Sequence, residues 1–244
     1  MNVPIWVVQS AAEFWAMVGE PEPFPRNLRQ PIAAAVPLTV VPLHRPSIAS
    51  IRKWLHENAI DCRVDAIDRC LRGCLVARYG HGFAFIDAAD ADDERRFTLA
   101  HELAHFLTDY LAPRARAVRK AGRDSLEVLD GQRPATASER VHGLLGHADI
   151  AYHVHLLDRT PNSRRCRVDD AEERADRLAY ELLAPAEAVA AAACHRSGPE
   201  LAEWLCDRFG LPRQQAERYA KELVPRRAAN PLLCQLRVAR EELS

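Results

Sequence analysis

Several features that mark secreted, membrane-spanning or nucleic-acid-coating proteins are absent from this sequence of 244 residues. The seven cysteines are scattered, odd in number and free of any C-x-x-C pair, which favours free thiols in a reducing cytosol. The longest uncharged run, residues 30–44, contains three prolines and is too short to cross a bilayer. Lys and Arg (33) balance Asp and Glu (34), so bulk charge does not hold the protein on nucleic acid. The first residues lack a basic leader, so no signal peptide is predicted and we expect a cytoplasmic protein with no membrane partner.

One stretch combines an apolar helical pattern with residues that carry chemistry. Residues 96–107 read R-F-T-L-A-H-E-L-A-H-F-L and contain the motif H-E-x-x-H. On a helix, the four-residue spacing places His101 and His105 on one face, where both imidazoles can bind a single Zn²⁺. Glu102 is then placed to act on water as a general base rather than as a ligand. Because the helix is apolar nearly all round, it is predicted to be buried, and buried polar groups need partners.

A third ligand is expected from a second helix downstream. Catalytic zinc sites of this type use two histidines and one carboxylate. Residues 169–185 read D-D-A-E-E-R-A-D-R-L-A-Y-E-L-L-A-P, with acidic residues at the start and a proline just after the end, as in a helix. At about 100° per residue, Glu172 flanks the apolar stripe whereas Glu173 points towards solvent. Glu172 is therefore the predicted ligand, and Asp176, one turn later, is predicted to accept a hydrogen bond from a ligand histidine.

The two motifs together resemble the ImmA/IrrE family of zinc metallopeptidases. The resemblance rests on R-F-T-L-A-H-E-L-A-H and on E-x-x-A-D-R-x-A-x-E-L-L-x-P, and it covers residues ~47–110 and ~168–225. Three positions differ from the usual family pattern, namely Ala104 for Gly, Leu178 for Phe and Ala184 for Met. The resemblance implies a zinc metalloendopeptidase that cleaves a helix-turn-helix transcriptional repressor, encoded nearby, and so derepresses mobile-element, stress or defence genes.

The expected fold is α+β: a predominantly helical, zincin-like metallopeptidase domain with a small antiparallel sheet and a C-terminal helix-turn-helix-like pair. Residues 1–46 are predicted to form a proline-rich arm that packs in extended form on the core, with a short helix at 11–19 and an edge strand at 38–41. Residues 47–195 form the metallopeptidase domain, and residues 196–244 form a helical cap. Two runs, 74–79 and 83–86, indicate a hairpin ahead of the motif helix. Peptidases of similar build bind extended substrate along the strand beside this helix, so we expect substrate on the exposed edge of 83–86.

The insertion at 111–168 separates the two motifs and is the least informative part of the sequence. It contains a basic run at 114–123, which is either a solvated helix face or a contact for an acidic partner or DNA. Zinc peptidases also need a hydrogen-bond donor for the oxyanion that develops on the scissile carbonyl. Tyr152, His153 and His155 are the candidates within the insertion, and the sequence does not choose among them. Tyr180 on the Glu172 helix is a fourth candidate and ranks last, because the helical count turns it away from the apolar stripe.

Two other functions stay open at this stage. The chain is either a peptidase, or a non-catalytic regulator that keeps the fold and binds a partner or DNA, or a zinc hydrolase of a non-protein substrate. An intact Glu102 argues against the regulator, since a protein without catalysis does not need the base. DNA binding by the C-terminal pair is not favoured, because Glu217 and Glu222 lie on its second helix and basic residues are not in excess.

Overall fold

A β-hairpin lies at the centre of the sheet. Strand β2 (Leu71–Arg78) is followed by strand β3 (His81–Asp87), and the two pair antiparallel. The turn consists of Tyr79 and Gly80, both with positive φ (51° and 81°), which is the conformation of a tight two-residue hairpin turn. The structure, a computed structural model, describes residues 3–19, 21–137, 139, 151–159 and 166–223, without the side chains of 166–169.

The sheet has the strand order β1-β3-β2-β4 and is mixed, so the prediction of an antiparallel sheet is corrected. Strand β1 (Leu38–Leu43) pairs parallel with β3, and β4 (His153–Asp158) pairs antiparallel with β2. The chain from β1 to β3 passes through a helix and β2, and this crossover brings β1 and β3 together in the same direction. The prediction of an exposed edge along 83–86 is therefore wrong, because β1 occupies that edge.

Each face of the sheet is covered by a separate apolar cluster. Helix α3 (Ile48–Glu57) covers one face with Ile48, Ile51 and Leu55. Ser47 is its N-cap. The side chains of Ser47 and Ser50 each accept a hydrogen bond from the other's backbone N–H and form a capping box. The opposite face is covered by helix α4 (Asp92–His105), which crosses β2 and β3 and packs along helix α7 (Cys166–Leu183).

Helix α4 continues without a break into less regular helix. Its first turn carries Asp92, Asp93 and Glu94, whose charges favour the N-terminal end of the helix dipole. After His105 the chain forms a π-helical turn over Phe106–Leu111, then α5 (Ala112–Ala121) and α6 (Ser125–Leu129). The sequence also predicts a helix over residues 138–145. Apart from residue 139, that stretch and the histidines at 142 and 147 lie outside the described residues.

The N-terminal segment contributes helices to the core rather than an extended arm. Helix α1 (Ile5–Val18) buries Phe14 and Trp15 and packs against α7; α2 (Arg29–Ala35) leads into β1. Between them, the buried guanidinium of Arg26 donates to the carbonyl oxygen of Leu182 (2.6 Å) and lies 4.6 Å from the Trp15 ring centroid. These contacts fasten the segment to α7. The structure confirms the short helix predicted at 11–19, as part of the longer α1, and the predicted edge strand, as β1.

The C-terminal part of the described chain consists of α8 (Ala186–His195) and the helix pair α9 (Gly198–Phe209) and α10 (Arg213–Leu223). Gly210 ends α9 in the left-handed conformation (φ 63°), which glycine adopts without strain. Helix α10 buries Ala216, Tyr219, Ala220 and Leu223 against the core. The sequence predicts a final helix over residues 231–244, which falls within the stretch 224–244 that lies outside the described residues. Among the described helices, none is long and apolar enough to cross a membrane.

Candidate metal centre

The H-E-L-A-H stretch lies in the last turns of α4, deep in the core. His101, Glu102 and His105 are at most 2% exposed. The burial follows from the sequence, because the neighbouring positions are filled by Phe97, Leu99, Leu103 and other apolar side chains. Polar groups buried in this way are costly unless they are hydrogen-bonded or bind an ion.

Both histidines are oriented by a carboxylate. The Nδ1–H of His101 donates to Oδ1 of Asp176 on α7 (3.0 Å), and the Nδ1–H of His105 donates to Oδ2 of Asp109 in the π-helical turn (2.7 Å). These bonds fix the ring orientations and turn the two Nε2 atoms towards each other, 3.2 Å apart. The same arrangement orients histidine ligands in metalloproteins.

Glu172 approaches the same point from α7. Its Oε2 lies 3.4 Å from Nε2 of His101 and its Oε1 lies 3.8 Å from Nε2 of His105. Two ligand atoms at about 2.0–2.1 Å from a tetrahedral zinc ion lie roughly 3.4 Å apart, so the three side chains have the spacing of a metal site. His101, His105, His155 and Glu172 form a group whose ligand atoms all lie within 4.8 Å and could hold a metal ion.

His155 enters the group from strand β4 and joins two carboxylates. Its Nε2 lies 2.8 Å from Oε1 of Glu172, and its Nδ1 lies 3.0 Å from Oε2 of Glu102. Its ring stacks on that of His105, with centroids 3.7 Å apart and planes inclined by 25°. An imidazole binds a metal in the plane of its ring, and two stacked rings cannot both direct a lone pair at one ion. In this geometry His155 is therefore a hydrogen-bond donor beside the metal position and not a fourth ligand.

The two carboxylate oxygens of Glu102 differ in their hydrogen bonding. Oε2 accepts the hydrogen bond from His155, whereas Oε1 is buried and has no hydrogen-bond partner among the described residues. The nearby strand residue is Gly73, where an added Cβ would lie only 2.7 Å from Oε1 of Glu102. The glycine thus leaves room for the carboxylate, and Oε1 is available to take up a proton.

Burial and charge pairing shift the pKa values of the cluster in opposite directions. Burial alone would lower the pKa values of His101 and His155. Carboxylates outweigh burial, and they raise the pKa to about 9 for His101 (beside Asp176 and Glu172) and to about 10 for His155 (beside Glu102 and Glu172). Burial and the two neighbouring histidines hold the pKa of His105 well below its usual value. Burial would raise the pKa of Glu172, but hydrogen bonds from His101 and His155 hold it far below its usual value.

The other candidate donors lie outside the cluster. His153 shares the face of β4 with His155, and its ring centroid lies 6.3 Å from that of Tyr110. Tyr152 precedes the strand and lies two residues before Val154, whose side chain packs on the face of the sheet opposite to that of His155. Tyr180 is buried and donates to Oε1 of Gln215 on α10 (2.7 Å).

Sequence analysis missed one residue of the centre, Asp109. Its signal was present as an aspartate four residues after His105, in the stretch H-F-L-T-D. Residues four apart on a helix are neighbours, so an acidic residue at this position is close to the second histidine.

Comparison with known proteins gives one match. Residues 74–140 match the family model Peptidase_M78, described as an IrrE N-terminal-like domain. The matched segment begins within β2 and extends past α6. It includes His101, Glu102 and His105, while Glu172 lies beyond it. No curated protein and no solved structure matches the chain significantly.

Proposed function

Since the chain belongs to the ImmA/IrrE family of metallopeptidases, we propose that it is a zinc-dependent, site-specific endopeptidase whose substrate is a helix-turn-helix transcriptional repressor. The observation that carries this proposal is the convergence of His101, His105 and Glu172 on one point, with the free oxygen of Glu102 beside it. Two histidines and a glutamate with spacing for a tetrahedral ion are the donor set of a catalytic zinc site.

The zinc ion, when bound, would polarise the scissile carbonyl and make water acidic enough to react near neutral pH. Glu102 takes a proton from the attacking water at Oε1 and passes it to the leaving amine. His155 supports the developing oxyanion, because a ring N–H that now lies 2.8 Å from Glu172 is close enough to donate into the same space. Of the four candidates for this role, His155 is the one that the contacts favour.

The substrate is proposed to pair with β4 instead of β3. Strand β4 is at the edge of the sheet and carries His155 into the centre, and no strand pairs with its outer side among the described residues. An extended peptide added to this edge would run past the metal position with its backbone held by strand hydrogen bonds. Such pairing contacts mainly the backbone of the substrate and distinguishes little between side chains. Selectivity for one protein must therefore come from a separate docking surface.

The exposed basic face of α5 is a candidate for that docking surface. Arg116, Arg119 and Lys120 are exposed on α5, and Arg123 is exposed just after the helix ends, so an acidic segment of the substrate could bind there. Specificity set outside the cleft predicts poor cleavage of short generic peptides and of casein. Rapid, non-selective degradation of casein by the purified protein would contradict the proposed specificity.

The proposed function is tested by co-expression. The protein is produced together with its genomic neighbours, above all a small helix-turn-helix reading frame, and the products are examined for a new fragment. We expect one cleavage product that is absent with Glu102→Gln. Cleavage that is undiminished in this variant would overturn the role of Glu102, and an intact repressor with the wild-type protein would overturn the substrate.

A further inference from the structure

The C-terminal helix pair makes a charged contact with the metal centre. Nη1 of Arg218 on α10 lies 2.9 Å from Oδ2 of Asp176. The other oxygen of the same carboxylate accepts the Nδ1–H of His101, 3.0 Å away. A single carboxylate therefore joins α10, the last described helix of the chain, to a metal-facing histidine.

The helix pair is held firmly enough for this contact to have a fixed geometry. Tyr219 stacks on Tyr180 of α7 at 4.5 Å between centroids, and its hydroxyl donates to the carbonyl oxygen of Ala184 (3.1 Å). At the turn between the two helices, Arg96 of α4 donates to the carbonyl oxygen of Gly210 (2.9 Å). The pair is thus attached to both helices that carry the metal-facing residues.

The other histidine has a matching arrangement. Asp109 accepts the Nδ1–H of His105 with Oδ2, and its Oδ1 lies 3.1 Å from Nη2 of Arg174. In each case an arginine holds a carboxylate, and the carboxylate holds a histidine. Arg174 belongs to α7, two residues after Glu172, whereas Arg218 comes from the C-terminal pair.

We propose that Arg218 is a positioning residue of the metal centre: it fixes Asp176, which orients the ring of His101 with Nε2 towards the metal. The inference rests on the proposed function only in that the centre binds zinc. It gives the C-terminal pair a role other than DNA recognition, because one of its side chains completes the surroundings of a ligand. On this proposal, the helix-turn-helix-like arrangement of α9 and α10 serves to pack the pair against the metal centre.

The test measures zinc affinity of the full-length protein by competition with a chromophoric chelator. Loss of a direct partner of a ligand histidine weakens metal binding by about 10–100-fold, which is the expectation for Asp176→Asn. The Arg218 side chain is half-exposed, so Arg218→Ala is expected to weaken zinc binding by about two- to fivefold. Arg218→Lys keeps the charge and should recover part of the loss.

Arg213→Ala is the matched control. Arg213 is on the same helix, is 62% exposed and pairs with Glu217 (2.8 Å), away from Asp176. Its replacement should leave zinc affinity unchanged. Equal affinity of Arg218→Ala and Arg213→Ala would overturn the proposal, while wild-type protein that binds no zinc would overturn the proposed function instead.

A double variant separates positioning from a general structural effect. If Arg218 acts through Asp176, replacing it in the Asp176→Asn background causes no further loss of zinc affinity. A loss of the same size in both backgrounds would show that Arg218 acts independently of Asp176 and would refute the proposal. Thermal unfolding of the metal-free variants is measured in parallel, so that differences in folding are seen directly.

Discussion

Gly73→Ala tests whether the position of Glu102 is set by the strand beside it. An alanine Cβ at this position would lie 2.7 Å from Oε1 of Glu102 and equally close to Cγ2 of Thr98 on α4. To reach an ordinary contact of 3.4 Å, the carboxylate must retreat by about 0.7 Å. Since a misplacement of about 1 Å can cost 10²-fold in rate, we expect cleavage to slow by roughly 10–100-fold.

The same substitution should leave the metal in place, because Glu102 is not a ligand. The cost in folding free energy is that of overpacking, about 1–3 kcal/mol. Gly82→Ala is the control: its Cβ would lie 2.6 Å from Cε2 of Phe106, so it crowds the core to a similar degree without touching Glu102. Both variants are compared by zinc content, thermal unfolding and rate of cleavage in the co-expression system.

The expected pattern is two destabilised, zinc-loaded proteins, of which only Gly73→Ala is slow per folded molecule. Cleavage by Gly73→Ala at the rate of Gly82→Ala would refute the reasoning. It would mean that the glycine serves backbone packing and that the position of the carboxylate is set elsewhere.

Three further predictions follow from the centre. Glu102→Gln should keep its zinc and lose cleavage; loss of zinc in this variant would make Glu102 a ligand. Because metal binding displaces the proton that metal-free His101 holds below its pKa of about 9, zinc affinity should rise about tenfold per pH unit from pH 7 to 9 and level off above. Zinc affinity that does not change over this range would contradict the assignment of His101. A rise of about a hundredfold per pH unit would show that two protons leave and that His155 is deprotonated as well. Duplex DNA should bind weakly and without sequence preference; specific binding that survives ~200 mM salt would show that the C-terminal pair is a DNA-binding module.

Local helical periodicity was enough to predict that His101, His105 and Glu172 lie close together. The spacing of His101 and His105 comes from one helical turn, and the choice of Glu172 over Glu173 comes from the angle per residue. The same helical spacing places Asp176 one turn after Glu172, and in the structure its carboxylate lies within hydrogen-bond distance of His101. These inferences needed only the geometry of single helices.

Long-range pairing could not be predicted in the same way. The position of β1 beside β3, which overturned the predicted substrate edge, depends on a crossover that no local pattern encodes. Selecting His155 required the register of β4 against β2, fixed by the pairing of His155 with Leu75. The contact of Arg218 with Asp176 required knowing how α10 docks on α7, which depends on side-chain packing between distant segments.

The central claim is that His101, His105 and Glu172 form one zinc centre, and metal analysis of purified protein tests it most directly. Zinc is measured by mass spectrometry in the wild type, in Glu172→Ala and in the control Glu173→Ala, whose side chain pairs with Arg177 on the surface of α7. We predict one zinc ion per chain in the wild type and in Glu173→Ala, and a large loss in Glu172→Ala. Equal zinc content in the wild type and Glu172→Ala would contradict the account.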